Sequence, residues 1–262
     1  MKVVICYKLV PDVSNVKVKA DRTLDLSECE WSISQYDLNA TEAANRLVAA
    51  NEGSTLTALT FGGDITDNSK LRKAILARGP HDLVIVKDEA AGSADTYATA
   101  KILAEAIKKL GDVDVVVFGE GSGDMYVQQT GSMVGAMLGW NTVNSVNALS
   151  VADGKLNVGR LTEECTENLE LTLPAAVSVT SDICPPKIAA MRDILAAGKK
   201  PCVAWTSEDV GTGIENKSVT ESILAPMQTD RKKIVSGAAD EDHINAVAAV
   251  LRSLMQGGNY NA

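Results

Sequence analysis

The sequence predicts an α/β fold with a doubly wound parallel sheet, helices on both faces, small antiparallel insertions and a C-terminal extension. Two observations predict it. Short apolar runs alternate with stretches of helical spacing through the first two-thirds of the 262 residues. One of these runs, Val113–Phe118, leads directly into a glycine-rich turn and then a segment with helical potential. That order is typical of nucleotide sites in α/β proteins.

Five apolar runs are predicted to be strands of the parallel sheet. They are short and apolar at both odd and even positions, as expected for strands that are buried on both faces. The predicted strands are Val3–Tyr7, Thr55–Phe61, Leu83–Lys87, Val113–Phe118 and Ala175–Val179.

Helices are predicted between these strands. The predicted helices are Leu38–Asn51, Ser69–Arg78, Thr96–Leu110 and Tyr126–Leu138. Gly79 and Pro80 give the second helix a clear end. Two insertions interrupt the alternation. Val16–Leu26 is predicted to be a hairpin, and Val151–Leu173 to be two antiparallel strands around Asp153-Gly154.

The pattern changes after the fifth strand. Ser181–Pro186 interrupts regular structure because proline lacks an N–H and restricts the preceding residue. Lys187–Ala197 has roughly helical spacing, Trp205–Gly237 is polar without a clear element, and Asp240–Met255 is an amphipathic helix. We therefore expect a nucleotide-binding domain over residues 1–200. Residues 201–262 would be an arm that packs on a partner subunit or, alternatively, on its own domain.

Composition excludes several classes of protein. A net charge of −9 and an aromatic content of 4% argue against a nucleic-acid-binding surface. No apolar run approaches the ~20 residues of a membrane span. Met1-Lys2 leads directly into a strand pattern and not into a signal peptide, so a cytoplasmic protein is expected.

The cysteines and histidines predict neither a metal site nor a disulfide framework. The five cysteines are widely spaced, contain no C-x-x-C pair and suit reduced thiols. Cys6, in a buried strand pattern, is predicted to be a small core residue. Neither His81 nor His243 has another histidine or a cysteine nearby in the sequence. Both are predicted to lie at the surface, so metal catalysis and a histidine triad have little support.

The glycine-rich loop is the candidate ligand site, with an ordinary strand-to-helix loop as the alternative. Ligands of open α/β sheets bind beyond the carboxyl ends of strands where the strand order reverses. If the first strand lies beside Val113–Phe118 at that point, Cys6–Lys8 faces Gly119–Gly131. The loop is not a dinucleotide fingerprint, since Asp124 takes the place of the third glycine. Asp124 could accept a hydrogen bond or cap the helix, and Lys8 could supply a counter-charge.

The resemblance to known proteins lies in four segments: Met1–Asp12, Ile33–Ala43, Gly119–Gly131 and Asp182–Pro201. Together they resemble one protein family, the electron transfer flavoprotein beta subunits of the Fix-type subgroup. Met1–Asp12 resembles their first strand and turn, and Ile33–Ala43 resembles the element that follows. Gly119–Gly131 is similar to their adenine-nucleotide loop, and Asp182–Pro201 to their recognition segment with its lysine-rich end. The resemblance spans nearly the whole chain in order and spacing.

The resemblance implies a subunit of a heterodimeric electron carrier, with no catalytic residues of its own. An adenine nucleotide, either AMP or a second FAD, would lie within this subunit, whereas the redox-active FAD would be held mainly by the alpha subunit. The implied cofactor-binding residues are Cys6, Ser34, Gln35, Tyr36, Asp37, Phe61, Asp95, Thr96, Thr99, Gly119, Glu120, Gly121, Ser122, Gly123, Asp124, Met125, Tyr126, Val127, Gln128, Gln129 and Thr130.

The resemblance also implies a surface for a partner flavoenzyme of the acyl-CoA dehydrogenase or reductase type. Its residues would be Pro186, Lys187 and Met191. Met191 takes the place of a family leucine that anchors in a pocket on the partner. Methionine has a more flexible apolar side chain of similar size. The alternative is that Met191 faces the core from a short helix.

Two cues disagree about which nucleotide is bound. Electron-bifurcating members carry Asp-Gly-Asp-Thr in the loop, where this chain has Asp124–Val127. Gly92–Thr99, in contrast, resembles the helix start whose hydroxyls contact the second flavin in those members, although a plain helix cap is the alternative. The second cue favours FAD over AMP.

Other classes of protein with the same type of sheet fit the sequence less well. A nucleotide hydrolase needs a Ser/Gly-rich phosphate loop after the first strand, where this chain has Tyr7–Pro11. A nucleotide-sensing module would end soon after the fifth strand, and an NAD dehydrogenase would carry the dinucleotide fingerprint in its first turn.

Overall fold

The computed structural model describes residues 1–227 and 241–257. Its contacts divide the chain into Met1–Ile223 and Leu224–Ala262. This division lies later than the expected boundary after residue 200. The reason is that Cys202–Thr206 pairs as a strand with the main sheet.

Thirteen strands and six helices are found among the described residues. The strands are β1 (Lys2–Cys6), β2 (Leu9–Pro11), β3 (Lys17–Val18), β4 (Leu24–Asp25), β5 (Trp31–Ile33), β6 (Thr55–Gly62), β7 (Asp82–Lys87), β8 (Val115–Gly119), β9 (Asn141–Ala152), β10 (Lys155–Leu161), β11 (Thr166–Thr172), β12 (Ala175–Val179) and β13 (Cys202–Thr206). The helices are α1 (Gln35–Ala49), α2 (Ser69–Leu76), α3 (Thr96–Leu110), α4 (Thr130–Leu138), α5 (Met191–Ala197) and α6 (Glu241–Gly257).

Nine strands form the main sheet, in the order β11-β10-β9-β12-β8-β1-β6-β7-β13. The strands from β9 to β13 in this order pair in parallel, and β10 and β11 add an antiparallel edge. The predicted α/β fold with its parallel sheet is therefore confirmed. The chain passes from β1 to β6 and β7 on one side, then returns to β8 on the other. The strand order thus reverses between β1 and β8, as the site prediction required.

Helices cover both faces of the sheet, and each face has its own apolar cluster. Val3 and Ile5 of β1 pack in the cluster that contains α1, α2 and α5 residues. Val4 and Cys6 pack in the other cluster, with residues of α3 and α4. This alternation follows from the period of two along a strand, and it explains why β1 is apolar at every position from Val3 to Cys6.

Local signals determine where several elements begin and end. The side chain of Asn68 caps α2 by accepting from the backbone N–H groups of Lys70 and Leu71. Asp153 and Gly154 both have positive φ (52° and 74°), as a two-residue hairpin turn requires, and they join β9 to β10. The Val16–Leu26 hairpin is also found, as the pairing of β3 with β4.

Three elements differ from the sequence predictions. The second insertion has three strands and not two, because β9 already begins at Asn141, where it pairs with β12. Helix α4 begins at Thr130 and not at Tyr126, because Tyr126 and Gln128 adopt positive φ (48° and 60°), which a right-handed helix excludes. The predicted polar stretch after Trp205 overlaps β13, and its residues 228–237 lie outside the described part of the chain.

The second unit contains the described helix α6. Ile244, Val247 and Leu251 recur along it at spacings of three and four, which gives the amphipathic helix that the sequence predicts. Asp240, the predicted first residue of this helix, lies outside the described residues.

Candidate functional site at the central strand ends

The candidate site lies at the carboxyl ends of β1 and β8. These strands are neighbours, with Val3 opposite Val115 and Ile5 opposite Val117. Lys8 follows the end of β1, and the loop of residues 119–129 follows β8, so the two segments face each other across the point where the strand order reverses. This is the crevice in which open α/β sheets bind ligands.

Asp37, in the first turn of α1, joins the two strand ends. The backbone N–H of Lys8 donates to Asp37 Oδ2 over 2.8 Å, and the backbone N–H of Gly119 donates to Asp37 Oδ1 over 3.3 Å. The carboxyl group is 6% exposed. A Cβ at Gly119 would lie 2.7 Å from Asp37 Oδ1, so this close approach requires glycine.

Burial raises the pKa of Asp37 from 3.8 to about 7. The two backbone N–H donors and the nearby Lys8 charge act in the opposite direction, and the Asp124 charge adds to the effect of burial. The crevice therefore contains a carboxyl group that changes its protonation near neutral pH.

Asp124 closes the mouth of the crevice through an ion pair with Lys8. Lys8 Nζ lies 2.6 Å from Asp124 Oδ2 and 2.9 Å from Oδ1. Asp124 also accepts from Ser122 Oγ (2.6 Å) and from the backbone N–H of Met125 (2.8 Å), as expected of an acceptor in this loop. Partial burial works against ionisation, but Lys8 and Ser122 keep the pKa of Asp124 below its usual range. The helix-cap interpretation of Asp124 was wrong, since α4 begins six residues later.

Two tyrosines pack together over the loop. The rings of Tyr36 and Tyr126 lie 5.0 Å apart at an angle of 44°. A Cβ at Gly121 would collide with the Tyr126 ring, whereas a Cβ at Gly123 would be 3.7 Å from Val10. Gly121 is therefore needed to seat the tyrosine, and Gly123 has room for a side chain.

The other predicted residues near β1 occupy different depths. Cys6 lies in the core, where burial raises the pKa of its thiol, so only its backbone can face the crevice. Ser34 is fully buried before α1, and its Oγ has no hydrogen-bond partner among the described residues. Phe61, at the end of β6, packs partly exposed against the cluster that contains Cys6.

The Asp95–Thr99 group lies at the start of α3, which follows β7 after a 3-10 turn at Glu89–Ser93. Strand β7 is two strands away from β1 in the sheet. Asp95 caps α3 through the N–H of Ala98 and accepts from the N–H groups of Lys217 and Ser218. Burial opposes ionisation of Asp95, but these donors lower the pKa of Asp95 to about 2. The Asp95 carboxylate thus holds the chain that follows β13.

The predicted partner-recognition residues lie at and just before α5. Met191 is 72% exposed, which excludes the alternative that it faces the core. Ile188 and Leu195 are also exposed at helical spacing from Met191. Lys187 pairs with Asp193 over 3.1 Å. This segment therefore presents an apolar surface next to a paired lysine.

One buried polar residue near the site was missed by the sequence analysis. Asn39 lies in α1, two residues after Asp37, and its side-chain amide contacts the backbone at Ser181 and Cys184. The sequence gives no signal for it, because the neighbours of Asn39 on the same helix face include Gln35, Tyr36 and Glu42.

Two classes of site are not found in the described part of the chain. No group of three or more His, Cys, Asp or Glu side chains there could hold a metal ion. No helix there has the length and apolarity needed to cross a membrane.

Comparison with known protein families gives one match. The model of the electron transfer flavoprotein domain matches residues 23–210, which is more than half of the chain. The matched region includes α1, the loop after β8 and the segment that contains Met191. Its description does not separate the alpha from the beta subunits.

The buried Asp37 carboxyl predicts a pH dependence of stability. Its pKa is about 7 in the folded protein and 3.8 as the unperturbed value, so the folded state binds more protons between these limits. Stability from this group is therefore complete below about pH 4 and is lost as the pH rises to 7. We expect Asp37→Asn to gain about 2 kcal/mol relative to the wild type between pH 5 and pH 7. Denaturant unfolding at pH 5, 6 and 7 measures this difference.

Asp12→Asn is the matched control. Asp12 accepts from Ser14 at the surface, which lowers the pKa of Asp12, so its titration lies below this pH window. Its pH profile between pH 5 and pH 7 should parallel that of the wild type. An Asp37→Asn profile that also runs parallel would show that Asp37 is ionised throughout and contradict the prediction.

Proposed function

The chain belongs to the electron transfer flavoprotein domain family, whose members are electron carriers, and we propose that it is the beta subunit of a heterodimeric electron transfer flavoprotein of the Fix type. In this proposal it holds an adenine nucleotide in the crevice between β1 and β8. The alpha subunit holds most of the redox-active FAD, and the second unit of this chain, from Leu224, packs on that subunit. Electrons pass between a flavoenzyme of the acyl-CoA dehydrogenase or reductase type and other carriers.

The main support for the nucleotide site is the crevice itself. It lies where the strand order reverses, and the loop of residues 119–129 follows β8 and precedes α4 there. The residues present fit a nucleotide. The buried Ser34 Oγ lacks a protein partner among the described residues, and Lys8 supplies a positive charge at the mouth. Backbone N–H groups in the loop and at the start of α4 suit a phosphate.

When bound, a flavin would supply the electron-transfer chemistry, and this chain would supply position and electrostatics. Asp37 would hold the two strand ends at a fixed separation beneath the ligand. The Tyr36–Tyr126 pair would cover one side of the crevice and limit access of water.

The support for partner recognition is the exposed segment that begins α5. A large apolar side chain that is 72% exposed, as Met191 is, has the character of an anchor for a pocket on another protein. Ile188 and Leu195 extend the same apolar surface. Pro186 and Lys187 lie immediately before it.

The nucleotide count of the heterodimer tests the ligand. We expect the wild-type heterodimer, co-expressed with the alpha subunit, to contain two FAD molecules, with Thr96 and Thr99 in contact with the second. Thr96→Val combined with Thr99→Val should lower the count towards one, because the hydroxyl donors are lost and the fold of α3 is kept. Flavin absorbance and chromatography of released nucleotides give the counts. One FAD and one AMP in the wild type would refute a second flavin but would agree with an adenine nucleotide in the crevice.

Gly121 tests the position of the nucleotide in the loop. Gly121→Val should displace the Tyr126 ring and distort the loop, and so lower the nucleotide retained per heterodimer by tenfold or more. Gly123→Ala is the matched control, since a Cβ there meets only Val10 at 3.7 Å. The measurement is the nucleotide content after gel filtration. Equal content in wild type and Gly121→Val would place the ligand elsewhere.

Met191 tests partner recognition. Met191→Ala should keep the heterodimer and its flavin but raise the KM for an acyl-CoA dehydrogenase donor about 30-fold, since a pocket anchor contributes ~2 kcal/mol at an interface. Val13→Ala is the control, because Val13 is 70% exposed and lies away from this segment in the sequence. Steady-state electron transfer with increasing donor measures both variants. Indistinguishable KM values for the two variants would exclude Met191 as the anchor.

A further inference from the structure

A buried asparagine holds the segment that leads to Met191. Asn39 Nδ2 donates to the carbonyl oxygens of Ser181 and Cys184, each over 2.8 Å, and Asn39 is 4% exposed. Because both partners are carbonyl acceptors, the orientation of the amide is determined. Cys184 lies against the same turn of α1, with its Sγ 3.7 Å from the Asn39 carbonyl oxygen. Helix α1 thus fixes two points of this segment.

The same segment is also held by the loop of the candidate nucleotide site. The backbone N–H of Ser181 donates to Glu120 Oε1 over 3.2 Å, and the N–H of Glu120 donates to the carbonyl oxygen of Val179 over 2.9 Å. Ser181 is therefore bound on one side by the loop and on the other by Asn39. Both contacts arise from residues that are adjacent to the Asp37 bridge.

The geometry at Cys184 determines where the exposed segment begins. Residues 184–190 have no regular secondary structure, so no ladder of backbone hydrogen bonds fixes their path. Pro185 and Pro186 follow Cys184 directly and restrict the backbone there. The two prolines therefore restrict the path between Cys184 and Met191, the first residue of α5.

We propose that Asn39 is a positioning residue for partner recognition, and that it and Glu120 join the nucleotide crevice to the segment that presents Met191. The inference rests on the proposed function for the meaning of that segment. The structural part, that Asn39 keeps residues 181–184 bound against helix α1, can be measured without any partner protein.

The test replaces the amide with a group of the same shape that cannot donate two hydrogen bonds. Asn39→Asp places a carboxyl group opposite two carbonyl oxygens, so residues 181–184 should open more often. Cys184 is 4% exposed and reports this opening through its reaction with N-ethylmaleimide, followed by peptide mass spectrometry. In the purified heterodimer we expect Cys184 to react at least tenfold faster than in the wild type. Cys6, buried beneath α3 and α4, should react at an unchanged rate.

Asn51→Asp is the matched control. Asn51 lies just after the same helix and donates to the Leu47 carbonyl oxygen over 2.7 Å, but has no contact with residues 181–184. It should leave Cys184 protected. The ratio of the Asn39→Asp rate to the wild-type rate should also increase from pH 6 to pH 8, because ionisation of the new carboxyl opposes the two carbonyls. A loss of packing alone would leave that ratio constant.

A second variant keeps the inference testable if Asn39→Asp does not fold. Glu120→Ala removes the acceptor for the Ser181 N–H from a loop that is partly exposed, and should increase Cys184 labelling about threefold. Protection of Cys184 in both variants, or equal acceleration of Cys6, would overturn the inference.

The partner-dependent readout separates this inference from the proposed function. With an acyl-CoA dehydrogenase donor, Asn39→Asp should raise KM several-fold and leave kcat at saturating donor unchanged. If Met191→Ala alters KM but Asn39→Asp does not, positioning by Asn39 is refuted and the docking surface stands. If Met191→Ala leaves KM unchanged while Cys184 reacts faster in Asn39→Asp, the proposed docking function is refuted and the role of the Asn39 contacts is supported.

Discussion

The Asp37 bridge is the interaction on which the rest of this site depends. Two strands that end side by side leave backbone N–H groups without partners, and burying such groups unpaired costs about 1–3 kcal/mol each. Asp37 accepts from both Lys8 and Gly119. The start of α1 is thereby held against the ends of β1 and β8, and the loop after Gly119 is directed outward over Tyr36.

The charges in the crevice are balanced locally. Asp124 is paired with Lys8 at the mouth, where water still reaches it, and remains ionised. Asp37 is deeper, and desolvation raises its pKa to about 7, so a proton can remove its charge when an anion approaches. The two carboxylates thus have different states because their surroundings differ. A phosphate would meet one neutralised acid and one paired acid, and the net charge of −9 is no obstacle to binding there.

The strand order also explains why the loop after β8 and the segment after β12 begin side by side. Strand β12 pairs with β8 so that Val179 lies opposite Gly119. The chain that leaves β12 therefore starts beside the chain that leaves β8, and Ser181 meets Glu120. Helix α1 lies on the same sheet face and contributes Asn39 from the turn after Asp37. The loop of residues 119–129 and the segment after β12 share supports because a parallel sheet places the carboxyl ends of its strands at one edge.

The sequence by itself determined the α/β class, the five apolar strands, the order of the loop after its strand and the family resemblance, because buried parallel strands and helix periods leave local patterns. The late start of α4 was not predictable, since the positive φ of Tyr126 and Gln128 depends on packing against Tyr36 and Gly121. Strand β13 was missed although four of its five residues are apolar, because the run is short and its edge position leaves it exposed. Only the tertiary structure showed that Asp37 joins two strand ends and that Asn39 holds residues more than a hundred positions away. Hydrogen bonds across such separations are set by the sheet topology and leave no local pattern in the chain.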